Sequence, residues 1–197
     1  MRWARRSWIA LPLLAFALIA GCDPGNSRSL QSPTEPQELL GGLLGGNRVS
    51  GYTLVKAPLL SLGDLSLSNL IGINGGEISL LGHTLVVPVG AVTKPTLFLM
   101  TVLPTGYVEV DLTASVTGLL GSLLDVGSKG FLKPVPVTLS YAAGTNVTDP
   151  SRLTILRVTS LLGYKRYEVM PTVIDYEAKT VTAELDHFSR YVIAMPN

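Results

Sequence analysis

The chain of 197 residues carries 15 Lys+Arg against 14 Asp+Glu, one Cys, 47% hydrophobic residues and only 15% charged ones. The near-zero charge argues against a basic nucleic-acid binder and against a highly charged disordered chain. One Cys excludes an intrachain disulfide framework and a Cys-based structural zinc cluster, which leaves one ordinary-sized domain with appendages.

Residues 1–22 read MRWARRSWIALPLLAFALIAGC. Arg2, Arg5 and Arg6 form a positive start, and Trp8 to Ala20 form an apolar run too short for the ~20 residues of a spanning helix. The run ends in Ile19-Ala20-Gly21-Cys22, which resembles the bacterial lipobox: an aliphatic residue, two small ones, then Cys. Small residues let a signal peptidase bind the extended backbone, and the Cys22 thiol takes a diacylglyceryl group with palmitate-type chains before cleavage. The alternative is an ordinary cleavage site followed by a chance Cys. Arg5-Arg6-Ser7-Trp8-Ile9 also loosely resembles a twin-arginine export signal, so the export route stays open.

Removal of residues 1–21 leaves 176 of the 197, and loss of three Arg leaves 12 basic against 14 acidic groups, a formal −2. The expected protein is lipid-anchored through Cys22 in a bacterial cell envelope, facing the periplasm or the exterior. Residues 22–50 are rich in Pro, Gly, Ser and Asn and read as a flexible tether. Within them lies Leu39-Leu40-Gly41-Gly42-Leu43-Leu44-Gly45-Gly46, and a related tract runs from Gly118 to Leu124. Such tracts serve as a sticky strip against lipid or a partner, or as low-complexity sequence. For the second, a short helix or a loop over a sheet end is expected.

From about residue 51 to 197 the hydrophobic period is two. Val108, Val110 and Leu112 share one face, as do Val135, Val137 and Leu139, and Val181, Ala183 and Leu185. Further strands are expected at 77–81, 84–87, 96–103, 152–159, 165–170, 172–176 and 190–195. Turn residues every eight to twelve positions make this an all-β, antiparallel β-sandwich. No long helix-period stretch intervenes, which argues against a βαβ enzyme fold. Pro134 and Pro136 lack ladder donors and place their strand at an edge or a bulge. Asp175 to Lys179 reads as a hairpin turn. Tyr164, Arg166, Arg190 and Tyr191 are expected to be exposed, on solvated sheet faces or as part of an interface.

Gly75-Gly76-Glu77-Ile78-Ser79-Leu80 leads into Thr84-Leu85-Val86-Val87-Pro88-Val89-Gly90-Ala91-Val92. Phe131-Leu132-Lys133-Pro134-Val135 follows, and His187-Phe188-Ser189-Arg190-Tyr191-Val192-Ile193-Ala194 closes the series. In this order and spacing, over about residues 70–195, the chain resembles the ZU-five module. It also looks like bacterial lipoprotein members of that group. The resemblance implies a β-sandwich that binds a protein partner or serves a structural purpose, with no turnover and no cofactor. It also implies one candidate chemistry. His187-Phe188-Ser189 matches the tripeptide at which some ZU-five adaptors cleave themselves: Ser189 Oγ attacks the Phe188 carbonyl and His187 acts as base. The alternative is that the three residues simply lead into the last strand, with Phe188 in the core.

Asp186 and His187 form the only dense group of metal-type ligands, and neighbours on a strand point to opposite faces, so no metal is expected. No nucleophile elbow, phosphate loop or dinucleotide fingerprint is present. Asn146-Val147-Thr148 fits a glycosylation pattern that a bacterial lipoprotein normally has no machinery to use. The expectations are therefore an envelope interaction or structural module whose partner is an envelope protein or polymer, a carrier of an apolar ligand between the sheets, or a self-cleaving module. Oligomeric state is open. The 30 Leu beyond the leader suggest the carrier, but burial in a core absorbs most of them.

Overall fold

A computed structural model describes residues 48–49, 51–58, 63–118, 121–161 and 164–197. Cys22, the tether and the first Leu-Gly tract lie outside them. The described residues form fourteen strands and no α-helix. In chain order these are β1 (Arg48–Val49), β2 (Tyr52–Leu54), β3 (Leu65–Ile71), β4 (Gly76–Leu80), β5 (His83–Val87), β6 (Thr96–Val102) and β7 (Glu109–Thr117). Then come β8 (Leu123–Asp125), β9 (Val135–Ser140), β10 (Thr154–Leu161), β11 (Tyr164–Met170), β12 (Thr172–Asp175), β13 (Thr180–Leu185) and β14 (Arg190–Pro196). All pair antiparallel.

Two sheets result. The larger runs β1-β2-β14-β7-β6-β3, with β10 and β11 continuing from the other side of β14 and β8 paired to the far end of β7. The smaller runs β12-β13-β9-β5-β4. Period-two alternation sends Leu85, Val137, Leu139, Val181 and Leu185 from the small sheet against Phe98, Met100, Val110, Leu112, Tyr191 and Ile193 from the large one. The three alternating triads read from the sequence are all buried. Each Val or Leu among them contributes about 1.5–3 kcal/mol when removed from water.

A second apolar cluster sits on the outer face of the large sheet. Leu54, Leu156, Val158, Val192 and Ala194 are buried there, with Val49, Tyr52, Tyr107 and Tyr167 packed on them. It explains why β14 is apolar without alternation: Tyr191, Ile193 and Met195 face inward, Val192 and Ala194 outward.

Several expectations need correction. Tyr191 is fully buried, because its position alternates into the inner core, whereas Tyr164 and Arg166 are exposed and Arg190 is half-buried. β9 is the central strand of its sheet, not an edge. It tolerates Pro136 because the β5 ladder ends at Leu85↔Val137 and leaves that end of β9 paired to β13 alone. The second Leu-Gly tract supplies a strand, β8, with Leu123 and Leu124 exposed. Among the described residues β1 and β2 pair ahead of β3, and β3 itself is a strand beyond those expected from the sequence.

Local chemistry fits the turns. Gly75 has φ of 72°, and a Cβ there would lie 2.4 Å from the Val87 carbonyl oxygen, so no other residue fits the entry to β4. Asn146 is a structural residue: its Oδ1 accepts the Lys56 N–H at 2.7 Å, and its Nδ2 donates to the Leu54 carbonyl oxygen at 3.0 Å. One side-chain amide thus takes the place of a strand beside residues 54–56. His83 is buried on β5, and its Nδ1 accepts the Ser140 N–H at 3.1 Å. Burial pushes its pKa down to about 4 from an ordinary 6.5.

Two outcomes follow from these residues. Asn146→Ala leaves two backbone groups unpaired and lowers stability by about 1 kcal/mol, measurable by urea unfolding. Because His83 is neutral when folded, the unfolded chain binds the extra proton below pH 6.5. Stability therefore falls as pH drops from 6.5 towards 4, by up to ~3 kcal/mol, and is level in this respect at neutral pH. His83→Asn, a neutral acceptor of similar reach, flattens that slope; an unchanged slope would assign it to other groups.

Candidate functional site

The residues singled out for chemistry lie where the chain leaves the small sheet and enters the large one. β13 ends at Leu185 and β14 starts at Arg190, so residues 186–189 are the crossing. Phe188 points inward and packs edge-on against Phe131, with centroids 4.6 Å apart, and against Phe98 at 5.8 Å. Backbone bonds fix the path: Phe188 N–H donates to the Gly127 carbonyl oxygen at 2.8 Å, and Phe131 N–H to that of Asp186 at 2.8 Å. Leu112 N–H donates to the Ser189 carbonyl oxygen at 3.1 Å. The Tyr191 hydroxyl donates to the His187 carbonyl oxygen at 2.7 Å, and burial raises its pKa, so it keeps the donated proton.

Opposite Phe188, the turn from Asp125 to Lys129 is held by its first residue. Asp125 accepts from the Ser128 hydroxyl and from the N–H groups of Gly127 and Ser128, which keep its carboxyl below the ordinary range. Gly127 has no room for a side chain: a Cβ would come within 3.0 Å of the Ala114 nitrogen and 3.2 Å of Phe188 Cβ. The short helical turn at Gly127–Lys129 therefore presses directly on the crossing.

His187 and Ser189 turn to different partners. Ser189 Oγ donates to the Val158 carbonyl oxygen at 2.8 Å. His187 Nε2 meets Nη1 of Arg157, whose Nη2 pairs with Glu168. A guanidinium only donates, so Nε2 is the acceptor and its lone pair is committed. The hydroxyl that self-cleavage needs as nucleophile is thus bonded to a main-chain carbonyl, and the imidazole it needs as base is bonded to a cation. Nearby, Arg190 lies 3.6 Å from the buried Glu109 carboxylate.

β7 gives its one edge to two strands, β14 as far as Asp111 and β8 from Ser115. The seam between them opens into a cleft of about 440 Å³ along Leu112–Ala114, with Leu123, Ser128 and Ser189 across it. A second cleft of about 610 Å³ lies beside the crossing, lined by Val158, Ser160, Lys165, His187 and Arg190. Both open to solvent; Asp111 and Asp125 border the first, while Asp111, Lys165 and Arg190 border the second. Such clefts suit contact with a polar chain; they do not exclude water from a reacting group. Among the described residues, no three His, Cys, Asp or Glu side chains cluster as metal ligands.

The structure therefore brings His187, Phe188 and Ser189 to one crossing, as the sequence order requires, while Cys22 lies outside the described residues. It adds Arg157 and Glu168, which sequence reading missed, and places Tyr191 against the crossing from inside the core. The only signal for Arg157 is a single charge in an otherwise uncharged strand; its partners depend on strand register. Comparison with known protein families and with curated proteins finds no match to the chain.

The hydrogen bonds predict a chain that stays whole at the Phe188-Ser189 bond. Intact-mass measurement of purified protein should give one species, and release of residues 189–197 on denaturation would show instead that Ser189 leaves Val158 and attacks.

Proposed function

We propose that the chain is a membrane-anchored bacterial lipoprotein whose β-sandwich is a non-catalytic protein-interaction or structural module of the cell envelope. The observation that carries the anchor is in the sequence: the single Cys of the chain stands directly after Ile19-Ala20-Gly21, behind an Arg-rich start and a short apolar run. The reading of the sandwich as a binding module rests on the ZU-five resemblance of residues 70–195. The antiparallel two-sheet architecture agrees with it at the level of fold.

The interior supports binding at the surface over transport of an apolar ligand. A carrier of this size needs a dry cavity of about 300 Å³ or more. Here Phe98, Met100, Leu112, Leu139, Tyr191 and Ile193 fill the space between the sheets, each essentially without exposure. The partner chemistry that fits the surface is an envelope protein or polymer meeting exposed strands and two open clefts, one bordered by acids and one by charges of both signs.

Expressed as the full chain in a bacterial host, the protein should take up an alkyne-labelled palmitate and sediment with membranes. Cys22→Ala should lose the label and accumulate with its leader uncleaved. Equal labelling of the variant, or no labelling of the parent, removes the anchor from the proposal.

A further inference from the structure

Sheet edges expose unpaired N–H and C=O groups, and soluble proteins blunt them with charge, shortness, Pro or cover. Most edges here are blunted. β1 and β8 have two and three residues. β12 has four and follows Pro171, and β11 carries Lys165, Arg166 and Glu168. β4 bears Glu77, and its Glu77 carbonyl oxygen accepts from Asn69 Nδ2 at 3.2 Å. β3 is different. Its seven residues, Leu65-Ser66-Leu67-Ser68-Asn69-Leu70-Ile71, hold no charge and no Pro, and five are exposed, including Leu67 at 43% and Leu70 at 65%. Among the described residues only β6 pairs with it.

We propose that β3 is the edge through which two copies of this chain pair, antiparallel about a two-fold axis at Ser68, joining their large sheets into one. In that register the pairing is symmetric and brings no charged side chain of the strand against another. Ser68 faces Ser68 of the second copy, Ser66 faces Leu70, Leu67 faces Asn69, and Leu65 faces Ile71. Asp64, the nearest acid in sequence, falls opposite Gly72, so the two Asp64 carboxylates sit at opposite ends, about 26 Å apart by strand rise. No like charges meet. The β6 pairing places Leu67 and Asn69 on the inward side, level with buried Met100 and Phe98, and Ser66, Ser68 and Leu70 on the outward side. Pairing therefore covers Leu67 across the open flank of the sandwich and sets Leu70 beside Ser66 on the outer face.

A single seven-residue seam buries less than the ~1,200 Å² of a standard stable interface. The pairing is weak in dilute solution and gains when both copies share one membrane, which raises their effective concentration. This gain rests on the proposed lipid anchor; the pairing itself does not.

Cysteine crosslinking in membranes carrying the full chain tests the register. Ser68→Cys should form a disulfide-linked dimer on mild oxidation, several-fold more than Ser66→Cys, whose thiol faces Leu70. Adding Leu70→Lys, an exposed position, to Ser68→Cys should reduce the dimer several-fold while circular dichroism shows an unchanged fold. Equal crosslinking of the Ser66 and Ser68 variants, or a Ser68 dimer insensitive to Leu70→Lys in folded protein, overturns the proposal. Dimer in the parent chain would mean a free Cys22 thiol, a failure of the anchor reading and separate from the comparison between positions 66 and 68.

Discussion

The last strand holds this sandwich together. β14 pairs with β10 along one edge and divides its other edge between β7 and β2, and it is buried on both faces. Its inward side chains belong to the main core and its outward ones to the second cluster. The two apolar clusters and both halves of the large sheet therefore share one seven-residue segment. Its pairing with β2 joins Ala194 to Leu54 across most of the described chain. Such long-range closure costs loop entropy before any contact forms, so this topology belongs with the slower-folding all-β proteins.

That position of β14 decides what the crossing before it can do. A crossing that must deliver Tyr191 to the core in register has little freedom, and the Ser189, Tyr191 and His187 side chains are engaged in holding it. Ser189 holds β10, Tyr191 holds the His187 carbonyl, and His187 joins the Arg157–Glu168 pair. Residues whose types suggest a nucleophile and a base are here the fasteners between two sheets. The Ser189 bond to Val158 ties β10 to the crossing, and the Arg157 network ties β10 and β11 to it. Serine and histidine become catalytic by mutual geometry, and residue type alone does not set that geometry.

The same distinction separates what the sequence made legible from what it did not. Two-residue alternation exposed the inward faces of β7, β9 and β13, because a half-buried strand writes its burial directly into residue order. It failed at β14, where burial on both faces erases the alternation, and so Tyr191 was assigned to solvent. It does not single out β3, whose Leu/Ser alternation is short and leaves five of its seven residues exposed. Pro136 pointed to an edge, and the property it reported is real but local: a ladder that stops one residue short of it. Asn146 was hidden by a modification motif, since nothing in Asn-Val-Thr announces that the amide completes a sheet. The roles of Arg157 and Glu168 depend on the register of β10 with β11 and β14, which no local pattern encodes.

Asn146 and Asn69 show how this fold treats sheet edges that lack a neighbouring strand. A carboxamide offers one donor and one acceptor in the arrangement of a peptide group, so it can satisfy a strand edge in two directions. Asn146 does this fully beside residues 54–56, and Asn69 does half of it by reaching from β3 to the Glu77 carbonyl of β4. In doing so Asn69 spends its side chain on closing the flank between the sheets and leaves the edge of its own strand bare. The Asn69 amide is thus committed to the small sheet, while the edge of β3 carries no charged side chain. An edge with neither charge nor amide over it differs in kind from the blunted ones, and that difference, more than the exposed leucines alone, makes β3 the place where a second chain fits.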